Sequence, residues 1–165
     1  MKKGPDPIFE IRPARSEDSA TLHALVRALA EYEELDHLVT GTVEQLHAEL
    51  FGESPVIEAV IAWEGERAAG FALFFHNYST FLARRGLYLE DLFVIPQARG
   101  RGIGKALVRH CARLALERGC GRVEWAVLDW NRPAIEFYRS LGAAVLPDWQ
   151  ICRLTGEALE RFAQG

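Results

Sequence analysis

The residues best suited to chemistry stand in one short run, Arg99-Gly100-Arg101-Gly102-Ile103-Gly104-Lys105. Its glycines let the backbone approach a ligand closely, and its basic side chains supply positive charge. The run follows an apolar stretch at 87–95 and precedes apolar residues at helical spacing, so it marks a strand turning into a helix. Free N–H groups and the helix dipole at such a turn favour an anion, and a phosphate or pyrophosphate fits. The dinucleotide fingerprint G-x-G-x-x-G does not match, because the glycines here recur as G-x-G-x-G. The Walker loop fails as well, because Gly100 and Gly104 enclose too few residues and Ala106 follows Lys105 where Ser or Thr is needed.

The whole chain has 165 residues, enough for one well-buried domain. With 49% hydrophobic and 25% charged residues it has the balance of a globular protein, which excludes disordered and fibrous classes. Lys and Arg total 19 against 23 Asp and Glu, a net charge of −4, which argues against a nucleic-acid partner and for a cationic substrate. Cys111, Cys120 and Cys152 show no C-x-x-C pair, and neither they nor the five histidines have ligand spacing, so no disulfide framework and no metal are expected. No apolar run approaches the roughly 20 residues of a membrane span, and the start lacks an apolar leader. A cytoplasmic protein without a membrane partner is expected, with a flexible N-terminus at 1–7 and a single domain at 8–165.

The elements that must position the loop follow from periodicity. Alternation over 8–12 predicts an opening strand, and Pro13 with Ser16 predicts a turn and a helix N-cap. Leu22, Leu25, Val26, Leu29 and Tyr32 form one helical stripe. Thr42 and Gln45 have capping-box spacing, predicting a second helix over 43–50. Residues 56–63 and 68–78 read as strands joined by a Glu64-Gly65-Glu66 hairpin, and 87–95 reads as a third. A helix from Gly102 carries Ile103, Leu107, Cys111, Leu114 and Ala115 and ends at Gly119. A strand at 123–128, a short helix at 133–141 and one or two strands within 144–154 complete the chain.

Arg99, Gly102 and Gly104 make R-x-x-G-x-G directly after Glu90-Asp91-Leu92-Phe93-Val94. Together they resemble the GNAT acetyltransferase family, in which this loop holds the pyrophosphate of acetyl coenzyme A. The run from Asn131 through Arg132-Pro133-Ala134-Ile135-Glu136-Phe137-Tyr138 to Gly142 is similar to the family's N-x-x-A-x-x-F-Y segment, with Ala143 where Phe is common. Glu31-Tyr32-Glu33, Phe51-Gly52-Glu53-Ser54-Pro55, Leu87-Tyr88-Leu89-Glu90-Asp91 and Trp130-Asn131-Arg132-Pro133 narrow the resemblance to the diamine acetyltransferase branch, which acts on polyamines and thialysine. The segment 73–85 departs from that branch in residues that would shape an acceptor pocket. The resemblance implies a mixed α/β fold whose mostly antiparallel sheet splays around acetyl coenzyme A between flanking helices, and a homodimer.

Acyl transfer to an amine requires a deprotonated amine, oxyanion stabilisation and a proton for the leaving thiolate, but no nucleophilic side chain. Strand alternation places Glu90 and Asp91 on opposite faces. The resemblance puts Glu90 at a water-relay position, as base or as binder of the cationic substrate. It makes Tyr138 the acid, whose other reading is core packing beside Phe137. Leu92, Phe93 and Val94 would offer backbone groups to the pantetheine arm, and an N–H near Leu92 would serve the oxyanion. Arg99, Gly100, Arg101, Gly102, Ile103, Gly104 and Lys105 would hold the phosphates, or the basic three are solvated surface. Asn131, Pro133 and Ala134 would lie beside the pantetheine, while Asn131 also suits a helix N-cap. Tyr32, Glu33, Glu90, Asp91, Glu124, Trp125 and Ala126 are the implied acceptor residues, although an acidic run such as that from Glu31 to Asp36 is also an ordinary solvated helix face. Acetyl transfer to a small amine by direct attack in a ternary complex is the leading reading. Acetylation of a protein lysine or N-terminus, and a non-catalytic acyl coenzyme A sensor, are its competitors.

Overall fold

Residues 9–165 are described by the computed structural model, so the segment 1–7 and Ile8, the first residue of the expected opening strand, lie outside the described residues. The chain forms one unit up to Ala126 and a second from Val127 to Gly165. The first unit holds a sheet of β1 (Glu10–Pro13), β2 (Glu58–Glu64), β3 (Arg67–Ser79), β4 (Arg84–Val94) and β5 (Val123–Glu124), ordered as in the sequence. The pairings from β1 to β4 are antiparallel, and β5 joins β4 in parallel. This is the mixed α/β, mostly antiparallel arrangement that the sequence predicts.

The sheet is buried on both faces, which explains why its strands are so continuously apolar. Helices α1 (Ser19–Tyr32) and α2 (Val43–Phe51) cover one face, where Leu22, Leu25, Leu29 and Leu50 join Ile61, Phe71, Leu73 and Phe93. Helix α3 (Ile103–Glu117) covers the other, packing Ile103, Leu107, Cys111 and Ala115 with Val60, Ala72, Phe74, Leu87 and Leu89. Each Val, Leu, Ile or Phe among them contributes about 1.5–3 kcal/mol by leaving water.

The expected capping box forms, with the Gln45 N–H donating to Thr42 Oγ1 at 3.2 Å and the Thr42 N–H donating to Gln45 Oε1 at 2.9 Å. Ser16 is not the N-cap expected of it, because residues 16–18 wind into a 3-10 turn that leaves Asp18 at the N-cap position of α1. The Asp18 carboxylate takes the Arg15 N–H at 2.8 Å and the Arg12 guanidinium at 2.9 Å, and residues 16–18 form a 3-10 turn ahead of α1.

Two further expectations are corrected. The strand expected at 123–128 pairs only at Val123 and Glu124, since the chain then leaves the β4 edge. Among the described residues no strand forms within 144–154; the second unit instead holds α4 (Arg132–Ser140) and α5 (Gly156–Gln164). Strand propensity expresses a fit to a half-buried pleated surface, whereas Leu146, Trp149, Ile151 and Leu154 are exposed. The sequence signal for α5 was the i,i+4 pair Glu157 and Arg161, which forms an ion pair at 2.9 Å.

Candidate active site

The glycine run forms the entry to α3. Gly100 and Gly102 take left-handed φ values of +76° and +83°, which side-chain-bearing residues rarely adopt, and Gly102 is the N-cap. The first helical bond from the loop runs from the Ala106 N–H to Gly102 O at 3.0 Å. The N–H groups of Ile103, Gly104 and Lys105 therefore precede the helical ladder. No side chain caps this end and no acidic residue occupies its first turn. A Cβ built on Gly100 or Gly102 would meet nothing within 4 Å, so the approach is open. Uncapped donors, a dipole and open space fit a pyrophosphate. The neighbouring cations are partly engaged: Arg101 pairs with Glu64 at 2.7 Å, and Arg99 Nε donates to Val94 O at 2.9 Å, while Lys105 is exposed.

The strand before the loop has an open edge. β5 pairs with β4 only at Leu87 and Tyr88, so the strand runs on to Val94 without that neighbour. The Ile95 N–H bonds Ala69 O at 3.0 Å, toward β3, and antiparallel alternation therefore turns the backbone groups of Leu92 and Val94 outward to the unpaired edge. The Phe93 side chain is buried on the α1 face instead.

A β-bulge interrupts β4 just upstream. Leu89 opposes Phe74 and Asp91 opposes Leu73, leaving Glu90 without an opposite residue. Leu89 belongs to the α3 face, so its neighbour Glu90 lies on the α1 face. Asp91, opposite Leu73, lies on the α1 face too. The expectation that Glu90 and Asp91 occupy opposite faces is thus corrected, because the extra residue shifts the alternation.

Electrostatics follow from that crowding. Burial pushes the Asp91 carboxyl up to about 7, and the charges of Glu90 and Glu33 add to the effect. Glu33, just past the end of α1, is itself raised by burial. Beside it, the Tyr32 ring packs 6.4 Å from that of Phe93 and carries the Arg99 guanidinium 4.4 Å above its centroid. On β5, Glu124 receives Asn77 Nδ2 at 3.4 Å and pairs with Arg122 at 3.4 Å. Trp125 packs partly buried against the α3 core, and Ala126 is exposed.

Within the second unit, Asn131 is buried and caps α4, its Oδ1 accepting the Ala134 N–H at 3.3 Å, with Pro133 in the first turn. Tyr138 is buried with its ring 5.3 Å from that of Phe137.

An uncapped glycine loop at the end of an open strand edge, with carboxylates gathered at a bulge, sets the context for comparison with known proteins. Residues 22–143 match the acetyltransferase (GNAT) family. The chain belongs to that family. It is 38% identical to a thialysine N-epsilon-acetyltransferase of Mus musculus over 93% of this chain and 96% of the relative. It is 34% identical to an L-ornithine N5-acetyltransferase of Arabidopsis thaliana, over 91% of this chain and 86% of the relative. Among solved structures, an integron cassette protein from the mobile metagenome of V. cholerae superposes with a TM-score of 0.80 at 27% identity, covering 95% of this acetyltransferase and 98% of that chain.

One residue beside these carboxylates is given no role by the sequence reading. Tyr88 pairs across the sheet with Glu124 and stacks on Phe75 at 5.2 Å, and its phenol is pushed up by burial and by the charges of Glu90 and Glu124. Its signal was its place two residues before Glu90 on the same strand.

Proposed function

We propose that this chain, an N-acetyltransferase that moves acetyl from acetyl coenzyme A to an amine of a small acceptor, does so by direct attack in a ternary complex on a diamine, polyamine or thialysine-like amino acid. The observation that carries this reading is the pairing of Glu90 and Asp91 on one sheet face at the bulge, on the strand that leads into the uncapped loop, with the charge of Glu33 at the end of α1 acting on Asp91. Acidic side chains there favour a cationic acceptor, and a carboxyl near neutrality suits removal of a proton from an ammonium group. Gly100 to Lys105 bind the donor's phosphates, and the outward backbone of Leu92 and Val94 holds its pantetheine arm by strand-like pairing; on the family likeness, Asn131, Pro133 and Ala134 serve the same arm.

The chain's own groups move two protons. One passes from the attacking amine to the Glu90 carboxylate, or to that of Asp91, directly or through water, as the new N–C bond forms. The other passes from the Tyr138 phenol to the sulfur as the C–S bond breaks. The Leu92 N–H stabilises the oxyanion. Tyr32, Glu33, Glu124, Trp125 and Ala126 line the acceptor side. Glu90 is our first candidate for the base; the Asp91 carboxyl, held at about 7, favours Asp91 as a second.

We read the two units as parts of one acetyltransferase domain because the family match crosses their boundary. The exposed apolar Leu146, Trp149, Ile151 and Phe162 support a homodimer, which light scattering would test. The cysteines, free among the described residues, support a reducing, cytoplasmic setting. The deciding experiment measures thiol release from acetyl coenzyme A with diamines, polyamines, lysine analogues and a lysine peptide. Turnover confined to small amines is expected. Turnover with the peptide alone would favour a protein acceptor, and tight coenzyme A binding without turnover would favour a sensor.

A further inference from the structure

Arg99 opens the donor loop, and its side chain is engaged by residues outside that loop. Its Nε donates to Val94 O at 2.9 Å, and its guanidinium carbon lies 4.4 Å from the Tyr32 ring centroid and 5.8 Å from that of Phe93. Tyr32 is the last residue of α1, and the next residue, Glu33, is the carboxylate whose charge acts on Asp91. Val94 is the outward-facing end of the open strand edge. One cationic side chain therefore ties three parts together: the loop that takes the phosphates, the edge that takes the pantetheine, and the helix end that presents an acidic group to the acceptor.

We propose that Arg99 is a positioning residue for the amine acceptor, acting through the ring of Tyr32 to fix the α1 end that carries Glu33, and is not solely a counter-charge for donor phosphate. The inference rests on the acetyltransferase reading above. A guanidinium stacked on an aromatic face and held by a hydrogen bond has little freedom, so it transmits the loop's position to α1. The Tyr32 hydroxyl is not needed for this, because the ring face does the holding. Occupation of the donor loop fixes Arg99, and the amine then meets a preformed acidic end. By linkage, a bound amine strengthens donor binding by the same factor.

The test is calorimetric titration of the enzyme saturated with coenzyme A, using whichever of 1,4-diaminobutane, spermidine and S-(2-aminoethyl)cysteine the wild type binds most tightly. Wild type, Arg99→Ala, Tyr32→Leu, Tyr32→Phe and the Arg99→Ala/Tyr32→Leu double variant are compared. Arg99→Ala and Tyr32→Leu should each raise the amine Kd about 2- to 5-fold, the range for loss of an exposed cation–π contact. The double variant should be no weaker than the worse single, and Tyr32→Phe, which keeps the ring face, should lose less amine affinity than Tyr32→Leu. The coenzyme A Kd of Tyr32→Leu, measured without amine, should stay within 2-fold of wild type, about 0.4 kcal/mol, which also reports that the fold is intact. An unchanged amine Kd in Arg99→Ala, or additive losses in the double variant, would overturn the proposal while leaving the acetyltransferase reading in place. Failure of the wild type to bind coenzyme A would overturn that reading, and this inference with it.

Discussion

Asp91 stands opposite Leu73 across the β3–β4 ladder, whereas its neighbour Glu90 stands opposite no residue, so both carboxylates share the face that α1 covers. Regular alternation would have separated them. The bulge instead concentrates negative charge at a partly buried position, and the strand immediately afterwards offers its outward backbone groups to the unpaired edge. One inserted residue thereby sets both the acidity of the acceptor side and the phase of the donor side.

The coupling of the two carboxyls predicts a shift in pH dependence. Glu90 charge helps hold the Asp91 carboxyl at about 7, after burial, so where Asp91 takes the proton Glu90→Gln should move the acid limb of kcat/KM to lower pH. If Glu90 is also the base, the plateau should fall by about 10²-fold or more. A full pH-rate profile reads both effects, and an acid limb that stays in place would remove the coupling.

Asp91 also predicts a pH effect on stability. Its folded-state pKa is raised from 3.8 to about 7, so the folded protein favours the protonated form. That contribution is fully present below the ordinary carboxyl value and is lost as pH rises through about 7, because the buried group must then carry a charge. Asp91→Asn, which stays neutral, should therefore raise Tm relative to wild type more at pH 8 than at pH 4. Equal differences at the two pH values in thermal melts would contradict it.

At an acidic N-terminal site the sign is opposite. Burial raises the Asp18 carboxyl, but the hydrogen bonds from Arg12 and the Arg15 N–H outweigh it and leave the group below its ordinary value. Its contribution is present above the usual carboxylate range and disappears as pH falls below it. Asp18→Asn should cost about 1–3 kcal/mol near neutrality and progressively less in acid. Denaturant melts at pH 7 and pH 3 check this.

Tyr138→Phe removes only a hydroxyl from a buried ring. Coenzyme A affinity should hold while kcat falls by about 10²-fold or more, the scale of general-acid catalysis. Wild-type turnover in this variant would return Tyr138 to a packing role.

Gly102→Ala tests the loop itself. The added methyl meets no neighbour within 4 Å, so its effect comes from the +83° φ. The strain should be about 1–2 kcal/mol, lowering Tm by about 2–8 °C for a chain of this length. Coenzyme A binding should weaken if the loop relaxes toward negative φ, which calorimetry reads directly.

What the sequence determined by itself was local. The Thr42 and Gln45 capping box, the stripe that puts Leu22, Leu25 and Leu29 against the sheet, and the glycine turn into α3 each depend on residues a few positions apart, and each forms where the spacing places it. The loop motif and the Asn131 to Gly142 segment also carried the family, since both are contiguous. Tertiary structure decided the rest. A clue to the bulge was present, because apolar residues on the α3 face switch from Leu87 and Leu89 to Leu92 and Val94, but only pairing with β3 shows which residue is extra. The length of β5 and the absence of strands within 144–154 depend on whether an edge is at hand to pair with, which propensity does not report. The raised Asp91 carboxyl and the Arg99–Tyr32 stack bring α1 to β4 and to the loop across many intervening residues. Burial and charge proximity depend on distance in space, and folding, not spacing along the chain, sets that distance.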